Sequence, residues 1–422
     1  MMDIKYIKEN LEEMKKVVKD KQINLDLEKL IKIANKRSKL LQKIELTNSQ
    51  RKKTALKQDR ETGSKLKKDL QTAEGELAKI EPEFIELMLL VPNIFDKSTP
   101  IGGEEANKVV FEHGKPTSFD FKPKDHIQIG KDLDLIDAEK GVKTSGFRGY
   151  YLKNQLAQLH LAILLYAFNK IILKGYEPFI PPTLLKDFAL IGSGHFPSGY
   201  DEVYQIGNPV KISSGDNIKD PLYLAGTSEP SVLAYFSDKV FDEKELPKRC
   251  VGFSQCYRSE VGSYGKDTNG IFRIHEFAKV EQVAFTTADT KVSNKMLEEL
   301  LNNSKEILED LELPYRVIQI ASGDMGAGKY KMYDIETWFP SRKGYGETHS
   351  DSNLTDWQPR RLNIKYIDVH GTKKYVHALN NTAIASPRIL IALLENHQQK
   401  DGSIKIPKCL VNYCGFDKIK AK

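Results

Sequence analysis

CYRSEVGSYGKDTNGIFRIHEFAKVE, residues 256–281, predicts a β-hairpin with a long loop. Residues 253–258 read as a strand, and 262–270 is turn-rich, carrying Gly262, Gly265 and Gly270. Residues 271–285 alternate and are rich in β-branched and aromatic side chains, the pattern of a returning strand. Such a hairpin can bring Arg258 and Glu260 from its first arm into one space with Arg273, Phe277 and Glu281 from its second. A guanidinium forks onto phosphate or carboxylate oxygens, so Arg258 suits an anion. Glu260 can accept from the amino group of a base, and Phe277 can stack on a flat ring. The same letters also fit a surface hairpin with a solvated Arg–Glu pair.

The chain has 422 residues, enough for two or three domains and a large core. With 40% hydrophobic and 29% charged residues it has the balance of a soluble globular protein, and a net charge of +6 does not by itself demand nucleic acid. Cys250, Cys256, Cys409 and Cys414 match no zinc-ligand spacing, so reduced thiols are expected. The first residues lead into a charged helix rather than a secretory leader. No run of consecutive apolar residues reaches the length of a membrane span, so no membrane partner is expected and a cytoplasmic location is.

Residues 1 to about 90 are helix-forming. Leu66, Leu70, Ala73, Leu77, Ile80, Phe84 and Leu87 recur at spacings of four and three, a heptad seam. Leu27, Leu30, Ala34, Leu41 and Ile44 form a less regular one. Two long helices folded back on each other are expected, with the tip near 60–64 and Gly63 in the turn. Arg51, Lys52, Lys53, Lys57, Arg60, Lys65, Lys67 and Lys68 crowd that tip. They suit either a solvated coiled-coil surface or an arm that lies along a nucleic-acid backbone by phosphate neutralisation.

Farther on, 154–174 is an apolar helix closed by Gly175, then an extended stretch runs to Pro182. His195, in the loop Gly192-Ser193-Gly194-His195-Phe196-Pro197, stands alone and is left unassigned. Thr227-Ser228-Glu229 could receive an ammonium group, or simply cap a helix. Asp324 and Glu336 are read as structural. No Cys/His set accompanies His349, which excludes a zinc reading.

Taken together, Tyr257-Arg258-Ser259-Glu260, residues 262–268, Arg273-Ile274-His275-Glu276-Phe277 and Lys279-Val280-Glu281 resemble motif 2 of the class II aminoacyl-tRNA synthetases, in its seryl-tRNA synthetase form. Lys266 stands where that family usually has arginine. The helix, glycine and strand ending at Pro182 resemble motif 1, the dimer interface of the class. Residues 377–388, with Asn380-Asn381-Thr382-Ala383 in place of the usual Asn-Gly-Ser-Gly, resemble motif 3.

The resemblance implies an α+β fold: a class II catalytic domain, an antiparallel sheet flanked by helices, with an N-terminal antiparallel helical coiled-coil arm. It divides the chain into a tRNA-binding arm (1–100), a linker (101–140) and a catalytic domain (141–422), with no separate anticodon-binding domain. It implies a serine–tRNA ligase acting on L-serine, ATP and tRNA(Ser), with tRNA(Sec) as a further acceptor, working as a homodimer with Mg²⁺ on the ATP. Arg258 and Arg388 are the implied catalytic pair. Thr227, Ser228, Glu229, Arg258, Glu281 and Thr382 are implied around serine. Arg258, Ser259, Glu260, Phe277, Glu347, Thr348, His349, Ser350 and Arg388 are implied around ATP, with Glu347 and Ser350 on the metal, oxygen ligands that suit a hard ion.

Overall fold

A computed structural model describes residues 1–56, 59–207, 221–261 and 270–420. The expected loop residues 262–269, with Lys266, and Lys57 of the basic cluster lie outside the described residues. The chain divides into two compact units, Met1–Ile94 and Phe95–Lys422.

In the first unit the long helices are α1 (Leu27–Leu56) and α2 (Arg60–Leu90), which pack on each other. Leu70 and Ala73 are buried on α2, and Leu66, Leu77, Ile80, Phe84 and Leu87 are half-buried along the same stripe. On α1 the buried set is Leu27, Leu30, Ala34, Leu40 and Thr47, while Leu41 is 38% exposed. The seam therefore leaves the heptad expected for α1, because a helix drifts by about 20° per seven residues against a strict repeat. Arg37 fills the gap between apolar layers, its Nε and Nη2 2.7 and 2.9 Å from Glu81 and its guanidinium 4.8 Å from the Phe84 ring centre. The expected turn at Gly63 is corrected. Asp59 accepts from the Thr62 amide and starts α2 at Arg60, so Gly63 lies inside the helix.

The second unit is built on an eight-stranded sheet. Its strands are β1 (Lys108–His113), β2 (Glu177–Phe179), β3 (Lys248–Tyr257), β4 (Glu276–Thr286), β5 (Tyr315–Gln319), β6 (Lys331–Phe339), β7 (Gly344–Asn353) and β8 (His377–Ser386). The order is β1-β5-β6-β7-β8-β4-β3-β2. Every neighbouring pair is antiparallel except β2 with β3, which is parallel. The 101–140 stretch is built into this unit, since β1 edges the sheet and the buried His126 Nδ1 meets Glu395 Oε1 at 2.9 Å.

Helices α3 (Asn154–Leu173), α4 (Thr290–Asp310) and α5 (Arg388–Asn396) cover the sheet. Leu159, Ile163, Leu297, Leu300, Leu390 and Leu393 from them share one core with Ala278, Val280, Ala284, Val317 and Ile335 of the strands. α3 is long and apolar enough to cross a membrane, but Leu156, Leu159, Ile163 and Ile171 are buried in that core. All four cysteines are free thiols.

The central hairpin is β3 with β4, in register from Lys248 opposite Phe285 to Tyr257 opposite Glu276. The returning strand begins at Glu276, five residues after the expected start at Ile271. Ile271, Phe272 and Ile274 are buried in the core instead, and the Phe272 ring meets Phe339 edge-on at 5.3 Å. Their β propensity reflects a buried environment rather than a ladder.

Candidate active site

Successive residues of a strand face opposite sides. On β4, Ala278, Val280 and Ala284 enter the core, so Phe277, Lys279 and Glu281 form the other row and line a cavity of about 290 Å³. Arg258 follows β3 into the same cavity, Glu347 and Ser350 enter from β7, and Thr382 enters from β8. Thr227 and Glu229 reach it from the start of the short helix Glu229–Tyr235, and Arg388 reaches it from the first turn of α5.

The two arginines are held from behind. Arg388 donates from Nε to the Phe272 carbonyl at 3.2 Å and from Nη1 to the Glu347 carbonyl at 2.8 Å, with its guanidinium 4.7 Å from the Phe272 ring centre. Arg258 donates to the Gly226 carbonyl at 3.3 Å and lies 5.3 Å from the Phe277 ring centre. Burial lowers the Arg388 pKa, Glu347 raises it, and Arg258 and Arg273 lower it again. Guanidinium groups stay charged in proteins, so a buried Arg388 with Arg258 and Arg273 close by offers a concentration of positive charge suited to a polyanion. Glu260, at φ +51°, is 3.1 Å from Arg273 Nη1.

At the other end the cavity is small and polar. Glu229 Oε1 accepts from Gln358 Nε2 at 2.6 Å and Asn380 Nδ2 at 2.7 Å. Thr227 Oγ1 is buried in the wall without a hydrogen-bond partner among the described residues, as suits a group whose partner is a ligand. Glu281 and Lys279 are 2.6 Å apart with side chains 3% and 7% exposed, and Lys279 Nζ donates to Thr382 Oγ1 at 3.3 Å. Burial pushes the Glu281 carboxyl up, and Lys279 pulls it back.

Among the described residues, no three His, Cys, Asp or Glu side chains are grouped to hold a metal. Glu347 and Ser350 nevertheless offer hard oxygens. Beside them the buried Asp334 carboxyl is pushed well above its ordinary range by burial and by the Glu347 charge. A carboxylate-rich corner with few protein ligands fits Mg²⁺, which completes its shell with water and phosphate oxygens.

Several expected contacts lie elsewhere. Ser228 Oγ is 3.4 Å from the Gly252 carbonyl, and Ser259 Oγ donates to the Asp201 carbonyl at 2.5 Å; neither lines the cavity. Ser228 sits at the helix N-cap without a side-chain capping bond, so the capping alternative is not realised. Thr348 does border the cavity, but its hydroxyl bonds Thr337 at 2.8 Å and the Ile335 carbonyl at 3.2 Å, across a bulge that turns it inward. His349 also borders the cavity, with Nδ1 2.8 Å from Thr348 Oγ1. Asp324 and Glu336 are structural, bound to Asn107 at 2.7 Å and Arg316 at 2.6 Å.

Sequence reading missed Lys279, Phe272, Lys329, Asn380 and His195, all of which line the cavity. Lys279 was recoverable, because it shares the strand face of Glu281. Asn380 was recoverable in the same way, two residues before Thr382 on β8, whereas the other three come from loops, where no period marks a direction.

An antiparallel sheet whose central hairpin sets Arg258, and whose covering helix α5 sets Arg388, over one cavity is the arrangement of a class II aminoacyl-tRNA synthetase. The tRNA synthetase class II core domain (G, H, P, S and T) matches residues 210–397, and the seryl-tRNA synthetase N-terminal domain matches residues 1–95. A serine–tRNA ligase of Borreliella burgdorferi is 41% identical over the full length of both chains, and one of Deinococcus radiodurans is 40% identical over 98% of each. The crystal structure of seryl-tRNA synthetase from Pyrococcus horikoshii complexed with ATP superposes with a TM-score of 0.88 at 33% identity, covering all of both chains. The chain belongs to the seryl-tRNA synthetase family.

Proposed function

We propose that this cavity joins L-serine to ATP and then passes the seryl group to tRNA(Ser), as a serine–tRNA ligase. The observation that carries the reading is that Arg258, Arg388 and the buried Glu281–Thr382 pair open onto one cavity. A serine carboxylate oxygen attacks the α-phosphorus of ATP, and pyrophosphate leaves. A terminal ribose hydroxyl of the tRNA then attacks the seryl carbonyl, and AMP leaves. No side chain acts as nucleophile; positioning and charge stabilisation carry the reaction.

Arg258 bridges the serine carboxylate and the α-phosphate. Arg388 holds the γ-phosphate and covers the adenine, with Phe277 stacked on the opposite face and Glu260 accepting from the adenine amino group. Thr227 and Glu229 take the serine ammonium, and Glu281 and Thr382 take its hydroxyl. Glu347 and Ser350 would hold Mg²⁺, which would supply charge neutralisation to the phosphates. Alanine is disfavoured because it leaves the buried Glu281 side without its hydroxyl donor, worth about 1–3 kcal/mol.

The same reading extends to partners. Leu161, Leu165 and Leu173 of α3 and Ile180 after β2 are exposed by 52–87%, an apolar face suited to a second copy of the chain. The helical unit 1–94 takes the tRNA(Ser) backbone through its basic tip, with tRNA(Sec) as a further acceptor, and the enzyme works in the cytoplasm. Serine-dependent pyrophosphate exchange tests the core of the reading. Arg258→Ala is expected to abolish exchange while the far-ultraviolet dichroism is retained; near-normal exchange would remove Arg258 from the centre.

A further inference from the structure

His195 belongs to no role described above, yet its ring borders the cavity beside Glu229. The segment that carries it is firmly held. Arg361 Nη1 donates to the carbonyls of Ile191 at 2.9 Å and Phe196 at 3.3 Å, and its guanidinium lies 3.7 Å from the centre of the Trp357 ring system. Gly194 takes φ +86°, and a Cβ there would fall 2.3 Å from Trp357 Cζ3, so only glycine fits against the indole. Gln358 uses one Nε2 on the Ser193 carbonyl at 2.8 Å and on Glu229 Oε1 at 2.6 Å. One amide thus fixes the loop to the carboxylate that faces the substrate.

Ser193 Oγ lies 2.8 Å from His195 Nδ1 and 3.2 Å from the Leu190 carbonyl, which also accepts from the Gly194 and Phe196 amides at 3.1 Å each. In the tautomer with the proton on Nδ1, Ser193 Oγ accepts from the ring and Nε2 is left with a lone pair. Burial holds the ring below the ordinary histidine range, Glu229 raises it, and Lys329, Arg258 and Lys279 lower it again. The ring is neutral, and a neutral acceptor beside a carboxylate suits a cationic donor.

We propose that His195, in the tautomer with the proton on Nδ1, is a positioning residue for the amino-acid substrate, presenting its Nε2 lone pair to the α-ammonium beside Thr227 and Glu229. This rests on the reading of Thr227 and Glu229 as the ammonium subsite. The ligand class is an α-amino acid or its acyl-adenylate in the ammonium form.

The test uses the full-length enzyme, isothermal calorimetry and two probes: the non-hydrolysable seryl-sulfamoyl adenosine, and its counterpart lacking the amino group. Asparagine can replace the Nδ1–H that bonds Ser193 but not Nε2, whereas glutamine places an acceptor near the Nε2 position. His195→Asn is expected to reduce the preference for the amino-bearing probe by about tenfold or more, the size of a lost hydrogen bond to a charge. His195→Gln is expected to keep most of that preference, and Glu229→Gln, run in parallel, to lose it. In pyrophosphate exchange, His195→Asn raises the KM for serine and leaves that for ATP in place. The proposal is overturned if His195→Asn keeps the preference while Glu229→Gln loses it, or if His195→Gln falls as far as His195→Asn. If Glu229→Gln also keeps the preference, the ammonium subsite itself is misassigned and His195 falls with it.

Discussion

Replacing Lys279 by methionine isolates the charge balance at the polar end of the cavity. Lys279 and Glu281 are 2.6 Å apart with side chains 7% and 3% exposed, so the variant leaves a carboxylate in a dry wall with Glu229 nearby. Removing one partner of such a pair costs about 3–5 kcal/mol. A ceiling comes from protonation, because Glu281 can escape the penalty by taking up a proton. With an unfolded pKa of about 4.3 and about 1.4 kcal/mol per unit, that escape costs about 3.7 kcal/mol at pH 7 and about 1 kcal/mol at pH 5. The sign follows from the direction of the shift. Burial raises the folded pKa of Glu281 in the native protein, and loss of Lys279 raises it further. Stability is then greatest below the unfolded pKa and falls as pH climbs toward the folded value. Lys279→Met is therefore expected to cost no more than about 1 kcal/mol at pH 5 and up to about 3.7 kcal/mol at pH 7, less whatever the native protein already bears, and Lys279→Met with Glu281→Gln to recover most of the loss.

Tryptophan fluorescence in urea reads this unit alone, because both tryptophans, Trp338 and Trp357, lie in 95–422. A loss of the same size at both pH values, or below about 1 kcal/mol at pH 7, would refute the argument. Serine-dependent exchange should fall in the single variant at every pH, since Lys279 also fixes Thr382.

Deleting residues 1–94 should leave adenylate formation within a few-fold of the intact enzyme and abolish tRNA charging; retention of charging would place tRNA recognition elsewhere. Leu161→Glu with Leu165→Glu should shift the sedimentation coefficient from that of a dimer to that of a monomer, because two charges cannot be buried on an apolar face. An unchanged coefficient would move the interface off α3.

What the chain letters determined was local and periodic. The recurrence of Leu70, Leu77, Phe84 and Leu87 fixed a helix and its buried side, because a stripe of apolar groups must leave water whatever it meets. The run 256–281 marked a hairpin with the cavity-lining Arg258, Phe277 and Glu281 on it, since a strand alternates faces by its own geometry. Tertiary structure decided what depends on a partner distant in sequence. Ile271, Phe272 and Ile274 have strand propensity but are drawn into the core, which finds them a better burial than a ladder. The start of α2 was settled by a side-chain cap rather than by the glycine that suggested a turn. Ser228, Ser259 and Thr348 sit within a motif yet turn their hydroxyls to Gly252, Asp201 and Thr337, because a hydroxyl takes the carbonyl or hydroxyl that the fold sets beside it. His195 is the converse: a lone loop histidine without any pattern, set against the substrate cavity by Arg361, Trp357 and Gln358, residues that only the folded chain brings to it.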